Sequence, residues 1–323
     1  MPVQRVGDKK RTNIFRDLMQ NTQSLKQSIK KLREEKRAII LAHNYCRAEV
    51  QEIADFVGDS LGLSRQAVDQ DADIIVFCGV DFMAESAAIL CPEKTVIIPD
   101  KYARCPMAAM ADAESLREVK KQYPDAAVVS YVNSSAEVKS ESDICCTSAN
   151  AVEVVRSLAA DEIIFVPDKN LGDYVSQHTD KKIILWDGYC PAHNQVRESD
   201  ILAAKALHPD AEVLSHPECR REVLGVSDQV LSTTGMLKQV SSSVNSEFIV
   251  VTENGLFYPL INENTDKKFY PVSDYLVCPD MKCTDLEAVH SSLENMQHIV
   301  KVPEDIRIKA KHALDGMLKV GRG

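Results

Sequence analysis

No apolar run in the chain approaches the ~18 residues that a transmembrane helix requires, so no membrane span is expected. The N-terminal stretch MPVQRVGDKKRTNIFRDL lacks the apolar segment of a secretory signal, which points to a cytoplasmic protein. Basic blocks are scarce as well. The net charge is −10, and the one Lys/Arg-rich stretch, KQSIKKLREEKR, carries Leu25, Ile29 and Leu32 at helical spacing. That stretch reads as a solvated helix face, and without a basic footprint no nucleic-acid partner is expected. The chain has no C-x2-C pair, the usual unit of a clustered zinc site. Inside the cell its ten cysteines do not build a disulfide framework, which leaves buried small side chains, metal ligands or nucleophiles.

What the chain does have is cysteine followed by proline, at Cys91, Cys105, Cys190 and Cys278. It also has short continuous apolar runs: AIILA, DIIVFCGV, TVIIP, AAVVSYV, EIIFVP, KIILW, AEVLSH, FIVVTE and, more weakly, KFYPV. Runs that are apolar at every position read as parallel strands covered on both faces. Helical stretches between them, such as 60–70, 148–158 and 233–240, open with Ser or Thr. The expectation is an α/β fold of three homologous three-layer βαβαβ domains, with parallel sheets around a pseudo-threefold axis. Its boundaries fall at a lead-in over residues 1–24, with the first dozen disordered, a first repeat over 25–125, a second over 126–210, and a third over 211–323 with C-terminal helices.

Polar stations recur in register. The first strand of each set ends in AHNY (42–45), SYVN (130–133) or SHPE (215–218). Ser60, Ser148 and Thr233 each follow seventeen residues after His43, Tyr131 and His216, and Cys105, Cys190 and Cys278 follow in turn. Ligands in open parallel sheets bind beyond the carboxyl ends of the strands, so nine stations from three repeats converge on one central site. Cys91 has no counterpart and reads as structural, as do Cys78, Cys145 and Cys146. Cys46, Cys219 and Cys283 lie near the stations.

Three thiolates suit zinc with a fourth ligand such as His193, or a [4Fe-4S] cluster with one iron open, and the repeat register favours the cluster. An open iron is a Lewis acid that helps to expel water, so dehydration or condensation is the natural reaction class. The hydroxyls of Ser60, Ser148 and Thr233 read as helix N-caps, or as three helix N-termini that bind phosphate or carboxylate. His43, Tyr45, Tyr131, Asn133, His216 and Glu218 supply hydrogen-bonding groups, and Glu218 is the candidate base. Asp168, Lys169 and Asn170 either line the cavity or open a helix.

AHNYCRAEVQEIADFVGDSLGLSRQA, YVNSSAEVKSESDICCTSAN, VPDKNLG, WDGYCPAH, HPECRREV, STTGM and CPDMKCT together resemble the quinolinate synthase family, from about residue 25 to 300. The resemblance implies condensation of iminosuccinate (iminoaspartate) with dihydroxyacetone phosphate to give quinolinate, phosphate and water, in NAD biosynthesis. It implies one [4Fe-4S] cluster per chain on Cys105, Cys190 and Cys278. It implies substrate binding by His43, Ser60, Tyr131, Val132, Asn133, Ser148, His216, Pro217, Glu218 and Thr233, with Glu218, Tyr45 and His43 catalytic. A functional link to the enzyme that supplies iminoaspartate follows. Cys283, in CPDMKC, stands where many relatives carry an apolar residue and competes with Cys278 as a ligand. The alternatives are an iron–sulfur hydro-lyase acting on a hydroxy acid and a three-cysteine metal-binding sensor or scaffold.

Overall fold

The structure, a computed structural model, describes residues 7–320, with side chains from residue 21 onward. Three four-stranded parallel sheets succeed one another along the chain. The first contains Ala38–His43 (β1), Phe56–Gly58 (β2), Ile74–Cys78 (β3) and Thr95–Ile97 (β4). The second contains Ala127–Tyr131 (β5), Ile144–Cys146 (β6), Glu162–Val166 (β7) and Lys182–Leu185 (β8). The third contains Glu212–Ser215 (β9), Gln229–Val230 (β10), Glu247–Val251 (β11) and Lys268–Pro271 (β12). Spatial order repeats as well: β2-β1-β3-β4, β6-β5-β7-β8 and β10-β9-β11-β12. The central strands β3, β5, β7 and β11 are buried at nearly every position, as sheets covered on both faces require.

Nine strands are expected from the apolar runs, and the structure has twelve. The additional ones, β2, β6 and β10, are only two or three residues long. They are fixed by an aspartate that recurs in each unit. Asp55, Asp143 and Asp228 each place a carboxylate oxygen on a first-strand amide, accepting from Ile40, Val128 and Val213 at 2.9, 2.7 and 2.8 Å. The same residues donate their own N–H to those residues' carbonyls. A two-point clamp sets the register of a strand too short to be set by apolar pairing.

The first helix runs Gly7–Glu35, so the lead-in expected to be disordered is helical from residue 7; residues 1–6 lie outside the described residues. Its Ile29 is buried against the first sheet, with Leu25 and Leu32 packed beside it. The helices after residue 285, grouped by sequence with the third repeat, sit elsewhere. Leu286–Asn295 packs on the first helix, and Glu304–Lys319 lies across the helices Asp81–Leu90 and Ala136–Ser140 and strand β6. Ala310, Ala313, Leu314 and Met317 thereby join a core that spans the first two units, whereas the third unit holds two apolar clusters of its own.

Candidate active site

The carboxyl ends of the three sheets meet at one cavity. From the first unit it receives His43, Tyr45, Asp59 and Cys105; from the second, Tyr131, Asn133, Ser148, Cys190 and His193; from the third, His216, Glu218, Thr233, Glu253 and Cys278. Val80, Phe82, Met83, Met107 and Met281 complete an apolar wall. Of the sequence-derived candidates, Ser60, Val132 and Pro217 do not line it.

Capping explains the position of the hydroxyls. The caps are the residues before them: Asp59 accepts from Gly62 N, and Ser232 from Gly235 N. Ser60 and Thr233 are the first residues of their helices, so neither hydroxyl is used as a cap. Thr233 Oγ1 accepts instead from Asn44 Nδ2 at 2.9 Å. Ser148 lies in a turn ahead of the helix Ala151–Ser157, with its hydroxyl 3.2 Å from His216 Nε2.

Each site cysteine opens a short helical turn, and this is the use of the following proline. Cys190 caps the helix Pro191–Asn194, whose first residue is the proline. Cys105 and Cys278 stand just ahead of the turns Ala108–Met110 and Asp280–Lys282. Proline fits such a position because its fixed φ suits the turn and no N–H is wanted there. The Cys190 sulfur lies 3.2 Å from His193 Nδ1. The three Cys-Pro pairs also line an outer recess with Tyr275 and Val277. Burial pushes all three thiols upward, Cys278 to about 11, so as bare groups they stay protonated at neutral pH and are poor nucleophiles. Gly188, two residues before Cys190, must be glycine because a Cβ there would run into the carbonyl oxygen of Pro167.

The other cysteines are packed or set aside. Cys46 and Cys219 are buried and occupy equivalent places, each donating its N–H to His43 or His216 carbonyl at 2.9 Å. Cys91 points its thiol at the Ala67 carbonyl. Cys283 faces the Pro279 carbonyl and does not line the cavity.

A hydrogen-bonded line crosses the site through all three units. Tyr45 Oη lies 2.6 Å from Thr252 Oγ1, which lies 2.9 Å from His193 Nε2. His193 Nδ1 is 2.7 Å from Glu218 Oε2, and Tyr131 Oη donates to Glu218 Oε1 at 2.5 Å. Glu218 as a carboxylate only accepts, so His193 Nδ1 donates to it. Thr252 bridges His193 Nε2 and Tyr45 Oη. Burial alone would raise the Glu218 carboxyl, but His216, His193 and the hydrogen bonds from His193 and Tyr131 hold it below the usual range. Burial and the Glu218 charge push both tyrosines well up, so each remains a hydroxyl donor.

His43 and His216 are neutral for a different reason. Burial lowers His43 from 6.5 to about 4 and His216 to about 3. In each, Nδ1 faces the N–H two residues on, from Tyr45 at 3.2 Å and Glu218 at 3.4 Å, which leaves Nε2–H to donate. The sign of the pH effect follows. Below 6.5 the unfolded chain takes up protons that the folded histidines refuse, so the free protein should lose stability as pH falls from 6.5 toward 4. The slope is about 1.4 kcal/mol per pH unit for each histidine, and the loss is absent above 6.5. Denaturant midpoints between pH 7.5 and 4.5 measure it, and replacing both histidines with glutamine should flatten the profile over that window.

His193 enters the sequence reading only as a fourth zinc ligand, and Thr252 and Glu253 do not enter it at all. For Thr252 and Glu253 the signal is the strand end itself: FIVVTE closes β11 as VPD closes β7.

Comparison with known proteins agrees with this arrangement. The family model described as quinolinate synthetase A protein matches residues 27–319. Quinolinate synthase of Methanosarcina barkeri is 58% identical over 292 residues, covering 90% of this chain and 96% of that protein. The enzymes so named from Thermodesulfovibrio yellowstonii and Geobacter sp. strain M21 are 55% and 54% identical, over 89% and 93% of this chain and 95% and 99% of their own length. No described helix is long and apolar enough to cross a membrane. With a shared site built from all three sheets and this identity along nearly its whole length, the chain belongs to the quinolinate synthetase A family.

Proposed function

We propose that the protein condenses iminosuccinate with dihydroxyacetone phosphate to give quinolinate, phosphate and water, in the cytoplasm and as a step toward NAD. The observation that carries this reading is the meeting of Cys105, Cys190 and Cys278, one from each unit, with Glu218, His43, His216 and two tyrosines in a single cavity. The three repeats proposed over 25–125, 126–210 and 211–323 each supply one thiol.

The donor set fits a [4Fe-4S] cluster. Three thiols from separate sheets share the cavity, no fourth cysteine lines it, and burial keeps them as inert thiols unless a metal displaces their protons. Cys105, Cys190 and Cys278 would hold the cluster, which supplies a Lewis-acidic iron for the loss of hydroxyl groups. The chain's own residues do the rest. Thr233, at its helix N-terminus, and Ser148 bind the anionic groups of the substrates. Asn133 Oδ1 is buried without a partner, a state a bound donor such as the imine N–H would relieve. Glu218 removes a proton from carbon, holds it and returns it, with His193 Nδ1 and Tyr131 Oη orienting the carboxylate. His43 and His216 donate through neutral Nε2–H. Such a site draws its imine from the enzyme that makes iminoaspartate.

One observation favours a second reading. Ligand atoms of Cys190, His193 and Glu218 lie within 4.8 Å of one another, a group that could hold a single zinc ion. Anaerobically reconstituted protein given both substrates separates the two. The proposal expects iron and sulfide in the protein, with quinolinate and phosphate formed in equal amounts. One zinc per chain without iron would overturn the cluster, and turnover of a hydroxy acid without phosphate release would overturn the condensation in favour of a hydro-lyase.

A further inference from the structure

Three carboxylates outside the catalytic line share one geometry. Each stands at the start of the helical segment that follows the third strand of its sheet. Asp81 opens the helix after β3 and accepts from Phe82 N at 2.9 Å. Asp168 caps the helix after β7, accepting from Leu171 N at 2.8 Å, and Glu253 caps the turn after β11, accepting from Gly255 N at 2.6 Å. Each reaches a second amide as well. Asp81 Oδ1 takes the N–H of Cys105 at 3.2 Å, Asp168 Oδ2 that of Cys190 at 3.1 Å, and Glu253 Oε1 that of Cys278 at 3.1 Å. The separations in sequence are 24, 22 and 25 residues, so the contact recurs once per repeat.

We infer that Asp81, Asp168 and Glu253 are positioning residues for the metal centre, each fixing one cysteine by its backbone so that the three sulfurs face one another before any metal arrives. The inference rests on the proposed cluster. A cysteine on a flexible loop would have to be ordered by the metal itself, at a cost in affinity. Here each loop is pinned at the cysteine N–H by a carboxylate. A carboxylate suits the task because it accepts several donors at once, one in its own helical segment and one in the loop, and a charged acceptor makes the stronger bond. Burial reinforces it. Asp168 and Glu253 are fully buried, and Lys282 Nζ stands 2.9 Å from Glu253 Oε1 as its counter-ion.

The test compares alanine with amide replacements in the reconstituted holoprotein, read as the rate at which iron is lost to a chelator without oxygen. Asp81→Ala, Asp168→Ala and Glu253→Ala should each lose iron roughly ten-fold faster than wild type, the effect of one missing buried hydrogen bond. Asp81→Asn, whose one amide oxygen can accept both N–H groups that Asp81 Oδ1 takes, should stay within about two-fold of wild type, whereas Asp168→Asn and Glu253→Gln turn an NH2 toward one of their two amides and should fall between wild type and alanine. Asp285→Ala, which removes a comparable cap from the helix Leu286–Asn295 away from the cysteines, should leave the rate unchanged. Alanine variants that hold iron as wild type does, an Asp81→Asn variant as labile as Asp81→Ala, or an Asp285→Ala rate equal to theirs would each overturn the inference. Failure of the cluster reading shows separately, as wild type that takes up no iron and sulfide. The pinning is then read in the metal-free protein by hydrogen exchange at the amides of Cys105, Cys190 and Cys278. These should exchange roughly ten-fold faster in the matching alanine variant, and equal rates would sink it.

Discussion

Glu218→Gln is expected to reduce quinolinate formation by ~10²–10⁴-fold while leaving the cluster in place. The carboxylate lies where one hydroxyl donor and one imidazole converge, and the side chain is buried. Glutamine fills the same space but offers one acceptor oxygen to two donors, Tyr131 Oη and His193 Nδ1–H. One of those bonds is lost, and no group remains that can hold a proton between removal and return. Iron content and substrate-analogue binding measured beside turnover make the result specific. A variant with full cluster and near wild-type turnover would remove Glu218 from the mechanism and leave proton removal to a histidine, since the tyrosines are held protonated.

The second large effect concerns the thiols. Cys105→Ala, Cys190→Ala and Cys278→Ala should each take the protein from about four irons per chain to essentially none, because a cluster already one ligand short does not persist on two. Cys91→Ala and Cys283→Ala should keep it, since the first thiol serves a carbonyl in the core and the second lies outside the cavity. Iron, sulfide and electron paramagnetic resonance spectra of the anaerobic variants provide the measurement. A Cys283→Ala protein that loses its cluster while Cys278→Ala retains it would reverse the assignment of the third ligand.

The sequence carried the architecture in one respect above all: the recurrence of polar stations at fixed distances from apolar runs. That recurrence was enough to bring Cys105, Cys190 and Cys278 to one place and to separate them from Cys91. It was not enough for the edge strands. β2, β6 and β10 are held by aspartate clamps on neighbouring amides, and a single Asp before a two-residue strand has no distinctive pattern. A Ser or Thr at a helix start reads as a cap or as part of an anion-binding terminus, and spacing does not separate the two; here Asp59 and Ser232, one residue earlier, are the caps. Thr252 and His193 were hidden for a related reason. Their part in the line from Tyr45 to Glu218 depends on side chains from three units, and no local spacing encodes that. The C-terminal helices pack on the first two units, a contact the sequence does not announce, because the chain's order says where a segment follows, not where its apolar face finds cover.

That last feature bears on how the protein is made. Domains generally fold as they leave the ribosome, N-terminal first. Here the core of the first two units is finished by residues 304–319, whose Leu314 and Met317 are fully buried in it and whose Gly316 packs against Ile144. Until that helix emerges, the apolar surface it covers is exposed on the nascent chain, after both sheets beneath it have been synthesised. The third unit, with cores of its own, can close independently in the interval. Completion of the fold is therefore a late event at the interface of the two oldest units, and the emerging chain is most exposed to aggregation and to chaperone capture along the surface of strand β6 and the helix Ala136–Ser140.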